Sequence, residues 1–436
     1  MNNAVDVVGA AESALGRQLV APGVHELAGG YSWKTYLVSD GSSPQAVVRV
    51  APKGGTLDPY DPNDERRALA AVMGTVPAPR VLHVESDPSV YGAPLQVQTV
   101  GSGSTVKLSS VHSAAERSAY RSALAVGLGR LHRHGEPAGL STIGSTGEAI
   151  QWLIEREVEH YLRVAAARHP GFEIGLRWLL SNLPGGDAAP VVCHGDYRFQ
   201  NVLWNAPGEI GTVLDWERAW AGDPMCDIAF TRQFSGWAAI DGDAVVAYEE
   251  SAGRVIDESA MDFYLKLERW RSYTASMRGL AAISSGRSNR SELIAIGEAG
   301  IFGMWSLVEW LEDDLVALPE TLAVRSSDYR DGITDSRRIE VAESLAFDDP
   351  QRSHLLDDDR DSEFVKRSVD QLRSLPGIPH LDEVLKIQDP MRAWEGAYSV
   401  LTSEAADSGG RLREALRALG QRFTARPTYF KEMKWR

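Results

Sequence analysis

The stretch from Val191 to Phe230, VVCHGDYRFQNVLWNAPGEIGTVLDWERAWAGDPMCDIAF, constrains this chain more than any other part of it. A short apolar run, Val191-Val192 closed by Cys193, leads into His194-Gly195-Asp196. Asn201 lies five residues after Asp196 and opens a second apolar run, Val202-Leu203-Trp204. Pro207-Gly208 is turn sequence, and Thr212-Val213-Leu214 then delivers Asp215. Alternation and turn residues make this a strand, a loop and a hairpin. A lone His-Gly-Asp is ordinary turn sequence, and the flanking strand ends give it weight. Asp196 and Asp215 emerge beside one hairpin, where two carboxylates and an amide can converge on one cation. Phosphoryl transfer to a hydroxyl asks for that spacing. One carboxylate takes or orients the acceptor proton, while an amide and a second carboxylate hold Mg²⁺ on the nucleotide phosphates.

The remaining sequence divides into a strand-rich part and a helical part. Between about His25 and Val100, the segments Thr35–Val38, Ala46–Val50 and Leu95–Val100 read as strands, with turns at Gly29-Gly30-Tyr31-Ser32 and Asp40-Gly41. A helix is expected over Asn63–Met73. After Gly101-Ser102-Gly103, Tyr120, Leu124, Leu128 and Leu131 share one helical face. Further helices are expected over Trp152–Val164 and Leu176–Leu183, the second stopped by Pro184-Gly185-Gly186. The class is therefore α+β, with a strand-rich part over residues 1–101, a helical part over 102–325 and a helical extension over 326–436. In the extension, Phe364, Val365, Val369 and Leu372 suggest one amphipathic helix, and Leu412, Ala415, Leu416, Leu419 and Phe423 another. It reads equally as a small domain, a brace or an oligomer contact, and sequence sets no oligomeric state.

The spacing of Asp196, Asn201 and Asp215 resembles the protein-kinase catalytic loop, with His-Gly-Asp for His-Arg-Asp and Asp-Trp-Glu for Asp-Phe-Gly. HGDYRFQN, VLDWE and GDPMCDIAF together resemble the aminoglycoside phosphotransferase family, over about residues 20 to 315. Leu131-His132, Asp87-Pro88 and Gly92-Ala93-Pro94 lean toward the subgroup related to kinase-like domains fused to acyl-CoA dehydrogenases. The resemblance implies a bilobal protein-kinase-like fold, with a β-rich N-lobe, an α-helical C-lobe and a hinge at Val97–Gly103. It implies ATP and Mg²⁺ as cofactors, with GTP open as an alternative donor. Asp196 becomes the catalytic base, and Asn201 and Asp215 the Mg²⁺ ligands. Arg198 either touches the γ-phosphate or pairs with the Asp196 carboxylate. Gly29, Gly30 and Ser32 would cover the phosphates, where missing Cβ atoms let backbone N–H groups approach closely. Arg49 stands where a kinase carries a lysine, with Glu65 as its partner, and Gln98 and Val100 are nucleotide contacts on the hinge. Arginine keeps the charge but brings a planar fork. The competing reading turns Arg49 to solvent and leaves Lys53 or Lys34 to reach the phosphate.

The implied acceptor is a small-molecule hydroxyl, such as that of a hydroxyacyl-CoA. An aminoglycoside or related antibiotic is the alternative, and a nucleotide-binding pseudokinase or scaffold the third reading. A hydroxyacyl-CoA would call for basic residues on the cleft rim, with Arg156, Arg163, Arg271 and Arg278 as candidates. Trp152, Tyr161, Trp178, Trp270, Tyr273 and Trp305 could line an acceptor pocket, although aromatics at helical spacing are more often core. Glu155, Glu157 and Glu159 read as a solvated helix face. His194, Asp223 and Asp227 are expected to order the catalytic loop, and Glu217 to meet a metal through water or cap the next segment.

A formal net charge of −15 argues against nonspecific nucleic-acid binding. The two cysteines, Cys193 and Cys226, form no CxxC pair and read as buried small hydrophobes. The first residues lack the pattern of a signal peptide, and no apolar run approaches the length of a membrane span, so a cytoplasmic location is expected.

Overall fold

The computed structural model describes residues 5–27, 31–57, 59–140, 144–164, 170–284, 288, 290 and 292–311. Gly29, Gly30 and the extension over 326–436 lie outside the described residues, as do the side chains of Arg163 and Trp305. The chain divides into two compact units. The first takes residues 1–53, 59–156 and 184–268, and the second takes 54–58, 157–183 and the chain from Arg269 onward. The strand-rich part and the whole Val191–Phe230 stretch fall in the first unit.

Five strands open the first unit: β1 (Pro22–Leu27), β2 (Lys34–Asp40), β3 (Ser43–Val50), β4 (Val81–Glu85) and β5 (Leu95–Gln98). They form one antiparallel sheet in the order β1-β2-β3-β5-β4. Ala46, Val48 and Val50 of β3 are buried with Leu95 and Val97 of β5, as β-branched residues on a pleated face should be. A short helix, α1 (Val7–Leu15), adds Val7, Ala10 and Ala11 to that core. Asp6 caps it, its carboxylate accepting from the Gly9 N–H at 2.8 Å. Sequence reading did not anticipate α1 or β4. The helix expected over Asn63–Met73 is α2 (Pro62–Ala71), with Asp61 as N-cap and Pro62 in its first turn. A four-residue helix, α3 (Pro88–Tyr91), precedes β5.

The long helix α4 (Ala114–His134) buries Tyr120, Leu124, Leu128 and Leu131, the stripe its periodicity predicts. Beyond α5 (Thr146–Val164) and α6 (Pro170–Ser181) comes the catalytic segment. There β6 (Val191–Cys193) pairs with β9 (Trp220–Gly222), and β7 (Val202–Ala206) forms a hairpin with β8 (Glu209–Val213). The helices α7 (Met225–Phe234) and α8 (Asp243–Ala252) follow, then α9 (Met261–Ser284) and α10 (Glu292–Leu311). No helix among the described residues is long and apolar enough to cross a membrane.

In the second unit, Tyr161 stacks on Phe172 at 4.1 Å and Phe172 on Trp270 at 5.1 Å. Trp270 also donates to the Phe172 carbonyl at 3.0 Å. Tyr161, Trp178 and Trp270 are thus core residues. Trp152, in the first unit, stacks against Trp220. Two expectations fail here. Arg271 and Arg278 are buried rather than standing on an exposed rim. Glu157 is buried too, 3.2 Å from Arg278, while Glu155 and Glu159 are exposed. Alternate residues of a helix do not share a face, so three glutamates spaced by two could not form one solvated stripe.

The linker after β5 is fastened to the β7–β8 hairpin. Ser102 N–H donates to Thr212 Oγ1 at 2.9 Å, Thr212 Oγ1 donates back to the Ser102 carbonyl at 3.0 Å, and Ser104 exchanges both backbone bonds with Trp204. Between them, Gly103 has φ +94°, and a Cβ there would lie 2.9 Å from the Trp204 backbone. Only glycine meets both conditions. Gly103→Ala is expected to destabilise the chain by about 1–3 kcal/mol, read from the midpoint of denaturant unfolding. An unchanged midpoint would mean that the linker is not fastened in this way.

Candidate active site

The His194–Asp196 loop hangs from one buried carboxylate. Asp227, in the first turn of α7, accepts from the backbone N–H of His194 at 2.7 Å and of Gly195 at 2.8 Å. The His132 Nε2 lies 3.0 Å from the same carboxylate, and the His132 Nδ1 lies 2.8 Å from the Tyr248 hydroxyl. Gly195 has φ +76°, and a Cβ there would lie 2.3 Å from the Arg218 carbonyl oxygen. That close approach explains His-Gly-Asp in this chain. Asp223 accepts from the Met225 N–H at 2.9 Å and from the Tyr264 hydroxyl at 2.9 Å. Asp227 therefore braces the loop, as expected, whereas the Asp223 carboxylate holds the start of α7 and Tyr264 instead. His132, Cys193 and Asp227 bring three donor atoms within 4.8 Å of one another. Both His132 nitrogens and both Asp227 oxygens are already engaged, so the trio is a brace.

His194 orders the loop as its position suggests. Its Nδ1 accepts from the Asp196 N–H at 3.2 Å, so the proton sits on Nε2, which donates to the Leu214 carbonyl at 2.9 Å. Burial pushes its pKa below the usual histidine range, against the pull of Asp227 and Asp196, and keeps the ring neutral. One imidazole thus ties the Asp196 loop to the residue before Asp215. Asn201 adds two more ties: its Nδ2 donates to the Asp196 carbonyl at 2.9 Å, and its own carbonyl accepts from Leu214 N–H at 2.8 Å. Asp196, Asn201 and Asp215 are so joined through a handful of hydrogen bonds. Arg198 Nε lies 3.0 Å from Asp196 Oδ1, an ion pair that fixes the carboxylate.

Asp215 is the only non-glycine with positive φ among the described residues (φ 62°, ψ 59°). A left-handed aspartate is uncommon and gathers at sites where geometry matters more than local comfort. Its carboxylate is 43% exposed, in contrast to its neighbours. The Asn201 amide is anchored through Nδ2, so Oδ1 is the atom it could offer to a cation. A carboxylate and an amide oxygen make a hard donor set, which suits Mg²⁺.

On β3, Arg49 is 6% exposed and addresses three carboxylates. Nη1 donates to Glu65 Oε1 at 2.5 Å, while Nη2 bonds Glu217 Oε2 and lies 3.3 Å from Asp215 Oδ1. Its guanidinium carbon also sits 5.8 Å from the Trp33 ring centroid. Burial alone would lower its pKa, but Glu65, Glu217 and Asp215 raise it further above its ordinary value. Arg49 therefore does not face solvent, and Glu65 is its partner, as the resemblance implied. Glu65 accepts from Gln96 as well, and the buried Gln98 side chain turns toward it. Val100 is 39% exposed on the linker. Sequence reading missed the place of Glu217, whose carboxylate bonds Arg49 and the Ser32 hydroxyl. Burial and the nearby Asp215 and Glu65 push its pKa up, against the pull of the Arg49 guanidinium with which it forms an ion pair.

The brace carries a stability consequence. Burial raises the pKa of Asp227, but the hydrogen bond and charge of His132, with the hydrogen bond from the His194 backbone, outweigh it, and the net shift is downward from 3.8. A carboxylate with a depressed folded pKa stabilises above its unfolded value and loses that contribution as pH falls through the folded one. Asp227→Asn should cost about 3–5 kcal/mol at neutral pH, as loss of one partner from a buried pair does. The gap to the parent should shrink below about pH 4. Urea midpoints from pH 7 down to pH 3 measure both, and a gap independent of pH would contradict the assignment.

Comparison with known proteins bears on the family and the fold. The probable acyl-CoA dehydrogenase IBR3 of Arabidopsis thaliana is 30% identical over 229 residues, covering 48% of this chain and 27% of that protein. Acyl-CoA dehydrogenase family member 10 of Mus musculus is 30% identical over 194 residues, covering 43% of this chain and 18% of that protein. The chain thus spans less than a third of the length of these relatives. The crystal structure of a Ralstonia eutropha protein provisionally assigned as an aminoglycoside phosphotransferase matches with a TM-score of 0.50 at 22% identity, over 66% of this chain and 93% of that one. At that identity the likeness is one of fold, α+β and kinase-like. The profile described as the phosphotransferase enzyme family matches residues 23–264. That is more than half of the sequence, and the chain belongs to the phosphotransferase enzyme family, the small-molecule kinases of the protein-kinase-like fold.

Proposed function

We propose that this chain transfers the γ-phosphoryl group of an Mg²⁺-bound nucleoside triphosphate, ATP in the first place, to a hydroxyl of a small molecule. The observation that carries the reading is the joining of Asp196, Asn201 and Asp215 through His194 and the Asn201 amide. Asn201 Oδ1 and the Asp215 carboxylate would hold the metal, which when bound neutralises charge on the phosphates. Asp196 accepts the proton of the acceptor hydroxyl as its oxygen bonds to the γ-phosphorus and the bond to the β-phosphate oxygen breaks. Arg198 meets both Asp196 oxygens, with Nε 3.0 Å from Oδ1 and Nη2 3.5 Å from Oδ2, and so keeps the carboxylate in place. Arg49 and Ser32 are the groups for the phosphates, and Glu65 prevents Arg49 from swinging away. Positioning and charge neutralisation account for most of the rate in such a site.

For the acceptor we favour a hydroxyacyl-CoA, because the curated relatives described above are acyl-CoA dehydrogenases by name. An aminoglycoside-like acceptor is the second reading, supported by the description of the Ralstonia eutropha protein. Mg²⁺-dependent transfer from ATP and from GTP, assayed against both acceptor classes, separates them. Transfer to neither class with clear Mg²⁺-nucleotide binding would point to a nucleotide-binding scaffold.

Two variants test the roles. Asp196→Asn should lower turnover by more than about a hundredfold, as loss of a general base does, with Mg²⁺-nucleotide affinity close to that of the parent. Normal turnover would remove Asp196 from the chemistry. Asp215→Ala should instead weaken Mg²⁺-nucleotide binding itself, measured calorimetrically, and unchanged metal-dependent affinity would reject Asp215 as a ligand.

A further inference from the structure

We infer that Glu217 is an internal competitor for the nucleotide phosphates, and so determines which ionic form of the nucleotide the site accepts. The inference rests on the phosphotransferase reading above. Glu217 stands in the 3₁₀ turn just after Asp215, and its side chain is 12% exposed. One of its oxygens accepts from Ser32 Oγ and the other from Arg49 Nη2. These are the two groups which that reading assigns to the phosphates. A carboxylate that binds both at once reproduces the bridging contact of two phosphate oxygens. Phosphate and Glu217 therefore cannot hold Ser32 and Arg49 together.

Both terminal nitrogens of Arg49 are already engaged. Its Nη1 is held by Glu65 at 2.5 Å, and Glu65 is itself held by Gln96. The remaining face of the guanidinium is shared by Glu217 and Asp215. Three carboxylates surround one buried cation, so the local field opposes a bare polyphosphate. A phosphate whose charge a divalent cation has already reduced meets less of that opposition and displaces Glu217 more readily. Glu217 thus acts on affinity and on selectivity for the metal-complexed nucleotide.

The test is calorimetric titration of the full chain with ADP, once in excess EDTA and once in excess Mg²⁺. The parent should bind ADP with Mg²⁺ and bind metal-free ADP weakly. Glu217→Gln and Glu217→Ala should bind metal-free ADP roughly tenfold more tightly or better, since removal of a competing closed arrangement raises apparent affinity by the fraction it had withheld. Glu217→Asp, which keeps the charge and shortens the reach to Ser32, should fall between them and the parent, and is the variant least able to disturb folding. If the parent binds ADP with Mg²⁺ and none of the three variants gains metal-free affinity, the competitor role is wrong and Glu217 merely braces Arg49. If the parent binds ADP under neither condition, the phosphotransferase reading itself fails.

Discussion

Everything in the catalytic segment depends on one buried carboxylate that accepts from two successive backbone amides. Asp227 meets His194 and Gly195 through separate oxygens, and this fixes the peptide planes on either side of the glycine. Hydrogen bonds to a charged group contribute about 1.5–3 kcal/mol each. That is substantial for a loop anchored otherwise by strands of three residues, β6 and β9. Once the planes are set, the His194 ring points toward Leu214, and the Asp196 amide is drawn back onto the ring. The catalytic geometry is thereby inherited from the packing of α4, α7 and α8, which supply His132, Asp227 and Tyr248.

The second organising constraint is the fork of Arg49. A lysine ammonium on β3 would offer a single point of charge, whereas the guanidinium addresses Glu65 through one nitrogen and Glu217 with Asp215 through another. The substitution of arginine for lysine is thus matched by a carboxylate two residues beyond Asp215. The left-handed conformation of Asp215 belongs to the same arrangement, since it turns the chain so that Asp215 and Glu217 both reach the Arg49 nitrogen.

What was legible in the sequence was local. The hairpin of β7 and β8, the strand ends that deliver Asp196 and Asp215, and the buried stripe of α4 all follow from periodicity and turn residues within short windows. Arg49 and Glu65 could be paired only through the resemblance to kinases, in which the strand residue meets a helix glutamate. The bond from Ser32 to Glu217 spans 185 residues, and no spacing rule connects its partners. Arg271, Arg278 and Glu157 were misread because charged residues on helices are usually solvated, and tertiary pairing overrode that expectation. The helix α1 escaped notice although its Asp6 cap and the left-handed Gly16 were both written in the sequence. The roles expected of Gly29, Gly30 and the extension over 326–436 fall outside the described residues.

The β7–β8 hairpin has its feet at Asn201 and Asp215, and the linker that follows β5 is stitched along its edge at Thr212, Gly211 and Trp204. Linker, hairpin and feet are therefore one hydrogen-bonded unit, so the places of the amide and the carboxylate are set in part by residues 102–104, a hundred positions earlier in the chain.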